Sequence, residues 1–213
     1  MFNTTIATQI YAKICFEATN SQKKIIENLS EYLSDDDFSR IFVLNGFAGT
    51  GKTTLIAALV AALKELRIKP VLLAPTGRAA KVLARYCGEQ ALTIHKRIYR
   101  QRTNADYESK FSLDFNREQG AVFIVDEASM LSDSTGDGAL FGSGSLLEDL
   151  VSYVRSGRSC RLILVGDSAQ LPPVGCDFSP ALDPATVSRY GEVVYGLMDE
   201  VVRQQMQSGI LFN

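Results

Sequence analysis

Four short apolar runs punctuate the chain: Ile41–Asn45, Val71–Ala74, Ala121–Val125 and Arg161–Val165. Each is rich in Val, Ile or Leu and bounded by Gly, Pro or Asp, which predicts strands buried on both faces. Between them lie helical patterns. Lys52–Arg67 is apolar on most sides and so predicts a helix sunk beside the sheet; Gly77–Tyr86 and Leu146–Arg155 predict two more. Ahead of the first strand, Asn20–Leu33 carries Ile25, Leu29 and Leu33 in i, i+4 register, with Thr19 and Gln22 spaced as a capping box. Strands alternating with helices predict an α/β domain: a mostly parallel sheet with helices on both faces.

Two stretches break the alternation. Residues Arg97–Gln119 are polar, of mixed charge, and hold Tyr99, Tyr107, Phe111 and Phe115; a β-hairpin or small insertion is expected there. Ser132–Ser145 is Gly- and Ser-rich and predicts a mobile loop. The whole of 1–213 then reads as one domain, with 1–38 an N-terminal helical segment and 97–119 an insertion.

Composition narrows this picture only a little. With 46% hydrophobic and 22% charged residues the chain can bury a proper core, and a net charge of −2 makes any nucleic-acid contact local rather than global. The four cysteines, Cys15, Cys87, Cys160 and Cys176, stand far apart beside a single histidine. No close-ligand zinc motif can be drawn, so buried reduced thiols and a cytoplasmic location are expected. The opening MFNTTIATQIYAKI lacks a basic n-region and a long apolar core, and no apolar run nears the roughly 20 residues of a membrane span.

The chemistry is concentrated in three places. Gly46-Phe47-Ala48-Gly49-Thr50-Gly51-Lys52-Thr53 is a full GxxxxGK[ST] match between a predicted strand and a predicted helix. Its glycines let backbone N–H groups turn inward on phosphates, and the helix N-terminus, through Thr54, adds partial positive charge. Lys52 then bridges the outer phosphates of a bound nucleotide, and the Thr53 hydroxyl holds Mg²⁺. Next, Asp126 and Glu127 come after four apolar residues, at the strand end where open α/β sheets bind ligands. There an aspartate can hold the magnesium shell and a glutamate can deprotonate an attacking water. Third, Gly166-Asp167-Ser168-Ala169-Gln170-Leu171-Pro172-Pro173-Val174-Gly175 should deliver Asp167 and Gln170 to the same edge, where the paired prolines stiffen the turn. Taken alone, this last segment also reads as a structural turn.

Together these segments resemble the superfamily 1 helicases, in particular the RecD-like and Dda-like branch that moves 5′ to 3′ on single-stranded DNA. GFAGTGKT is similar to motif I, APTGRAAKVL to motif Ia, TIHKRIY to the DNA-contact motif beyond it, VDEASM to motif II, LVGDSAQLPPVG to motif III and Val201-Val202-Arg203-Gln204 to the start of motif IV. The resemblance runs from Ser21 over about nine-tenths of the chain. It implies a RecA-like P-loop NTPase fold, ATP and Mg²⁺ as cofactors, and single-stranded DNA as partner. It further implies that Gln22 reads the adenine edge, where the residues themselves equally support a helix cap. Pro75, Thr76, Gly77 and Arg78 would grip the DNA backbone, His95 would touch DNA, and Pro172, Pro173 and Val174 would pack on bases or sugars. Gln170 would sense the nucleotide and Arg203 would reach the γ-phosphate. The family's second motor domain is not in this sequence, so a truncated motor, weak or inactive in unwinding alone, is expected. A helicase subunit of an ATP-dependent exonuclease and a nucleotide switch without translocation are the alternatives. A small-molecule kinase is disfavoured by the second and third motifs.

Overall fold

Residues on successive strand positions alternate between two apolar cores, and this alternation organises the fold. In the computed structural model, which describes residues 2–14, 17–103, 109–133 and 141–202, the strands are β1 (Ile41–Gly46), β2 (Pro70–Ala74), β3 (Ala91–Thr93), β4 (Tyr99–Thr103), β5 (Ser109–Leu113), β6 (Val122–Val125), β7 (Arg161–Gly166) and β8 (Val193–Met198). Six of them form one sheet in the order β3-β2-β6-β7-β1-β8, every pair parallel. The helices are α1 (Phe2–Lys13), α2 (Asn20–Ser34), α3 (Lys52–Glu65), α4 (Gly77–Cys87), α5 (Ile94–Ile98), α6 (Leu146–Ser156) and α7 (Pro184–Val187).

Phe42, Leu44, Leu72, Val122, Ile124, Ile163 and Val165 face one core, shared with α1, α2 and α3. Their neighbours Ile41, Val43, Val71, Leu73, Phe123, Val125, Leu162 and Leu164 face the other, shared with α5, α6 and α7. A parallel sheet has no wet face, which is why its strands read as continuous apolar runs rather than alternating ones. The four strands expected from those runs are all present, and the expected helices begin where their patterns begin. The expected hairpin is the β4–β5 pair, in antiparallel register from Tyr99↔Leu113 to Thr103↔Ser109. At its base Phe111 stacks on Phe141 with ring centroids 4.5 Å apart, and the Tyr99 hydroxyl donates to buried Asp149 at 2.6 Å.

Sequence reading placed α1 only within a helical segment 1–38, without bounds, and did not mark α5, α7, β3 or β8. In α1, Ile6 and Ile10 are fully buried against α2 and α3. Replacing Ile10 by Ala should cost about 2–5 kcal/mol, the usual range for emptying a well-packed aliphatic site, measurable by urea denaturation. Ser132–Ser145, expected as a mobile loop, is described only at its flanks. Residues 134–140 lie outside the described residues, but the flanks are pinned: Ser143 N–H donates to Asp149, and Ser145 caps α6 by accepting from Glu148 N–H. Of the cysteines, Cys160 is buried as expected, Cys87 and Cys176 are half-exposed, and Cys15 lies outside the described residues. Burial pushes the Cys87 thiol up to about 11. Among the described residues no helix is long and apolar enough to cross a membrane.

Candidate functional site

Strand β1, buried along its full length, carries the chain to the C-terminal edge of the sheet and releases it into the glycine-rich loop. Gly49 (φ +78°) and Gly51 (φ +87°) occupy left-handed backbone that a Cβ would strain. Gly46 has a different reason: a Cβ there would stand 2.9 Å from Met198 Cβ, where β8 closes against the loop. Gly51 is the N-cap of α3 and supplies no side-chain cap, so the first-turn N–H groups remain available to an anion.

The loop's carbonyls are tied on the other side. Phe47 O accepts from the Thr50 hydroxyl at 2.8 Å, Gly49 O from Val202 N–H at 3.0 Å, and Thr50 O from Gln22 Nε2 at 3.0 Å. Lys52 Nζ donates to Gly46 O at 2.5 Å and Phe47 O at 2.9 Å. Burial depresses the Lys52 pKa, while the carboxylates of Asp167, Asp126 and Glu127 pull it back up. The lysine of the first motif therefore lies within electrostatic reach of the acids of the second and third. Thr53 is half-buried in the first turn of α3, with Ala48 and Thr54 exposed on either side of the cradle.

Asp126 ends β6, its N–H donating to Leu73 O at 3.0 Å. Burial raises its carboxyl pKa; the Glu127 charge adds to the rise, and the Glu127 N–H and Lys52 oppose it. Glu127 itself has φ +55°, ψ +36°, a left-handed conformation rare for a residue with a side chain. Because Asp126 has a folded pKa above its unfolded value, its charged form is disfavoured in the fold. Stability is therefore lost as pH rises from the ordinary carboxylate value of 3.8 through the raised one. Asp126→Asn should accordingly melt higher at neutral pH, with the gain shrinking as the pH approaches 4. Scanning calorimetry across pH checks it, and a lower melting temperature at pH 7 would contradict it.

The third motif leaves β7 at buried Asp167. Its carboxylate accepts from Ala169 N–H at 2.9 Å, and its main-chain carbonyl from Gln170 N–H at 3.1 Å. The Gln170 side chain accepts from the Ser129 hydroxyl at 3.4 Å, tying this turn to the segment just past Glu127. A second tie was not read from sequence. Asn45, the last residue before the glycine-rich loop, donates to Ser168 Oγ (2.8 Å) and to the Tyr195 hydroxyl (3.0 Å) and accepts from Ser168 N–H (3.0 Å). Its partners lie more than a hundred positions away, so no local pattern could have found it. Asn45→Ala should destabilise the protein by about 1–3 kcal/mol by stripping these partners, a change that denaturant titration would detect.

The expected DNA-contact residues occupy the same edge. Thr76 caps α4 by accepting from Ala79 N–H at 3.2 Å, with Gly77 and Arg78 exposed and Pro75 half-buried behind it. A depression of about 280 Å³ runs between Thr76, Arg78, Ala79 and Val82 on one wall and Asp126, Glu127 and Met130 on the other. His95 is half-buried, edge-on to Phe141 (5.1 Å) and tilted on Tyr99 (5.6 Å), and burial depresses its pKa. Pro172 and Pro173 are half-buried, and a turn closed by Cys176 N–H to Pro173 O leaves Leu171 and Val174 projecting into solvent. Gln22 is buried in the capping box read from the sequence: its Oε1 accepts from Thr19 N–H and Thr19 Oγ1 accepts from Gln22 N–H. Arg203 lies outside the described residues.

A family model described as "AAA domain" matches residues 17–209, and the chain belongs to that family. Its relatives include helicases of the RecD-like type within superfamily 1. It is 30% identical to the ATP-dependent RecD2 DNA helicase of Deinococcus radiodurans, over 72% of this chain and 19% of that protein. It is 33% identical to the RecBCD enzyme subunit RecD of Mycobacterium tuberculosis (76% and 32%) and 34% identical to the ATP-dependent DNA helicase dda of Enterobacteria phage T4 (62% and 28%). The chain thus spans less than a third of each of these relatives. Among solved structures, the Pif1 helicase of Candida albicans matches with TM-score 0.55 at 22% identity, over 89% of this chain and 41% of that one. Pif1 from Bacteroides sp in complex with ADP-AlF4 matches with TM-score 0.55 at 18% identity, over 89% and 43%. These two likenesses establish the fold, a RecA-like P-loop α/β domain.

Proposed function

We propose that this domain binds ATP with Mg²⁺ and hydrolyses it to move along single-stranded DNA, as the first motor domain of a DNA helicase. The observation that carries the reading is the meeting of Lys52 with Asp126, Glu127 and Asp167 at one sheet edge, beside a helix N-terminus left without a side-chain cap. Inward N–H groups and Lys52 would oppose the charge of the triphosphate. The donor set fits magnesium: this ion asks for one or two protein oxygens and keeps its waters, and the Thr53 hydroxyl with the Asp126 carboxylate supplies that. When bound, the ion would neutralise phosphate charge. Glu127 would take the proton of the attacking water, and Gln170, tied to Ser129, would report the state of the site to the turn that bears Pro172, Pro173 and Val174.

Single-stranded DNA would lie along Pro75, Thr76, Gly77 and Arg78, whose helix N-terminus suits a phosphate, and reach His95 and the Pro172–Val174 turn. Among the described residues the cation acting on Asp126 is Lys52. Arg203 comes directly after Val202, whose N–H holds Gly49 O, and would add a second cation at the γ-phosphate. A further arginine from a second motor domain is worth about 10³–10⁵ in rate in related hydrolases, so this domain alone should turn over slowly and not unwind DNA. The cytoplasm is the expected setting.

The deciding measurement is ATP turnover with and without single-stranded DNA, for this chain and for a chain that carries both motor domains. The two-domain protein should be stimulated strongly and this chain little. No stimulation of either would reduce the protein to a nucleotide switch, and brisk unwinding by this chain would overturn the argument that an arginine from a second motor domain is needed.

A further inference from the structure

Beyond its first turn, helix α4 presents two unlike faces. Ala80 and Leu83 are buried and Ala84 and Cys87 partly so, while Arg78, Lys81, Val82, Arg85 and Tyr86 are exposed. At 3.6 residues per turn, these five fall on one side of the helix. All three charges there are positive, and α4 holds no Asp or Glu. Among the described residues none of the three pairs with a carboxylate. Lysines on nearby surface do: Lys64 pairs with Glu89 and Lys69 with Glu118. An ordinary solvated helix face does not account for this row. Arg78 stands in the first turn, where the helix dipole disfavours a cation. Lys81 lies three residues from Arg78 and four from Arg85, spacings at which like charges repel. Two large apolar side chains deepen the mismatch, for Val82 is 47% exposed and Tyr86 63%. The whole chain carries a net charge of −2, so the positive charge is a local concentration.

We propose that the outer face of α4 carries a single nucleic-acid strand past the Pro75–Arg78 seat, with Lys81 and Arg85 on successive phosphates and an unpaired base stacked on Tyr86. This deepens the DNA-binding reading and rests on it. The occupant follows from charge and chemistry. A row of cations without acids complements a polyanion. An exposed ring beside those cations is the kind of platform on which unpaired bases stack; a duplex would meet the cations but has no free base for the ring. The row is continuous with the seat, because Arg78 and Val82 line the same depression as Thr76. From Arg78 to Tyr86 the helix rises about 12 Å, room for about two to four nucleotides of strand.

The test is fluorescence anisotropy of a labelled oligothymidylate over a range of salt concentrations, with the unaltered chain, Lys81→Gln, Arg85→Gln, Tyr86→Ala and Tyr86→Phe. All three side chains are exposed, so each variant should melt as the unaltered chain does. The slope of log affinity against log salt should become shallower by about 0.7 in Lys81→Gln and again in Arg85→Gln, one single-strand phosphate contact apiece. Tyr86→Ala should weaken binding about five- to a hundredfold with the slope unchanged, and Tyr86→Phe, which keeps the ring, should bind as the unaltered chain does. If Lys81→Gln, Arg85→Gln and Tyr86→Ala change nothing while Arg78→Gln still lowers the slope, the strand ends at the seat; the proposal is then overturned and the DNA reading stands. If Tyr86→Ala is neutral and the two cation variants weaken a blunt duplex as much as the single strand, the face takes duplex and the proposal is equally overturned. No binding of the strand by the unaltered chain would remove the DNA reading, and this proposal with it.

Discussion

Lys52→Met is expected to lower ATP hydrolysis by at least about 10²-fold, the usual loss when one fixed charge is removed from a phosphoryl-transfer site. The argument is local. Lys52 is held across the mouth of the cradle by Gly46 O and Phe47 O, and the nearest charges acting on it are three carboxylates. Entry of a triphosphate adds further negative charge to a place already acidic, and Lys52 is the cation that offsets it. Stability should move the other way. Burial lowers the Lys52 pKa, so the charged form is disfavoured in the fold at every pH where the amine is protonated. The apolar Met side chain, one atom shorter than Lys, keeps most of the packing while removing that charge, so the melting temperature should hold or rise. A variant that melts normally and still hydrolyses ATP at the unaltered rate would place the catalytic cation elsewhere. Arginine should not rescue it, since its planar fork cannot take the position of a compact ammonium against two loop carbonyls.

The parts of this molecule that sequence made legible are those in which chemistry and local pattern coincide. A strand buried on both faces must be apolar at every position, so Ile41–Gly46 and Arg161–Gly166 announce themselves, and the glycine-rich loop between strand and helix does the same. Strand β8 did not, because Gly196 interrupts its run. The interruption is tertiary in origin: a Cβ there would fall 2.3 Å from Ile25 Cδ1, where α2 crosses the edge strand. Helix α1 was legible only as part of a helical segment 1–38, without its own bounds, because its apolar register rests on isoleucines at 6, 10 and 14 amid threonines, and its partners are α2 and α3 rather than a sheet. For Gln22 the capping spacing was visible and is formed, but the bond to Thr50 O spans 28 positions and leaves no trace in a linear pattern. The same holds for Asn45, whose three bonds join the ends of β1, β7 and β8. Residue types at the site were thus readable, and the contacts that aim them were not.

Glu127→Gln should bind ATP as the unaltered protein does and lose hydrolysis by about 10²–10⁴-fold, the range for removing a general base. The backbone at this residue is the physical clue. Left-handed φ at a residue with a side chain costs of order 1–3 kcal/mol and persists only where the surroundings enforce it. Here the chain leaves β6 at Asp126, turns through Glu127, and enters a short helical turn, Ala128–Met130, whose Met130 N–H donates back to Glu127 O at 3.2 Å. The turn presents the Glu127 side chain to the depression it shares with Thr76 and Arg78 instead of leaving it along the strand axis. Glutamine keeps shape and backbone but cannot accept a proton, so it isolates the chemistry from the strain. Glycine does the reverse: Glu127→Gly relieves the conformation and should melt higher by roughly 2–4 °C per kcal/mol recovered, while losing hydrolysis to the same degree. The pair of variants separates two explanations of the strain. If Glu127→Gly is no more stable than the unaltered chain, the turn is comfortable and its conformation says nothing about function. If Glu127→Gln hydrolyses ATP at the unaltered rate, the base is another group, and Asp167, the remaining carboxylate acting on Lys52, becomes the residue to replace.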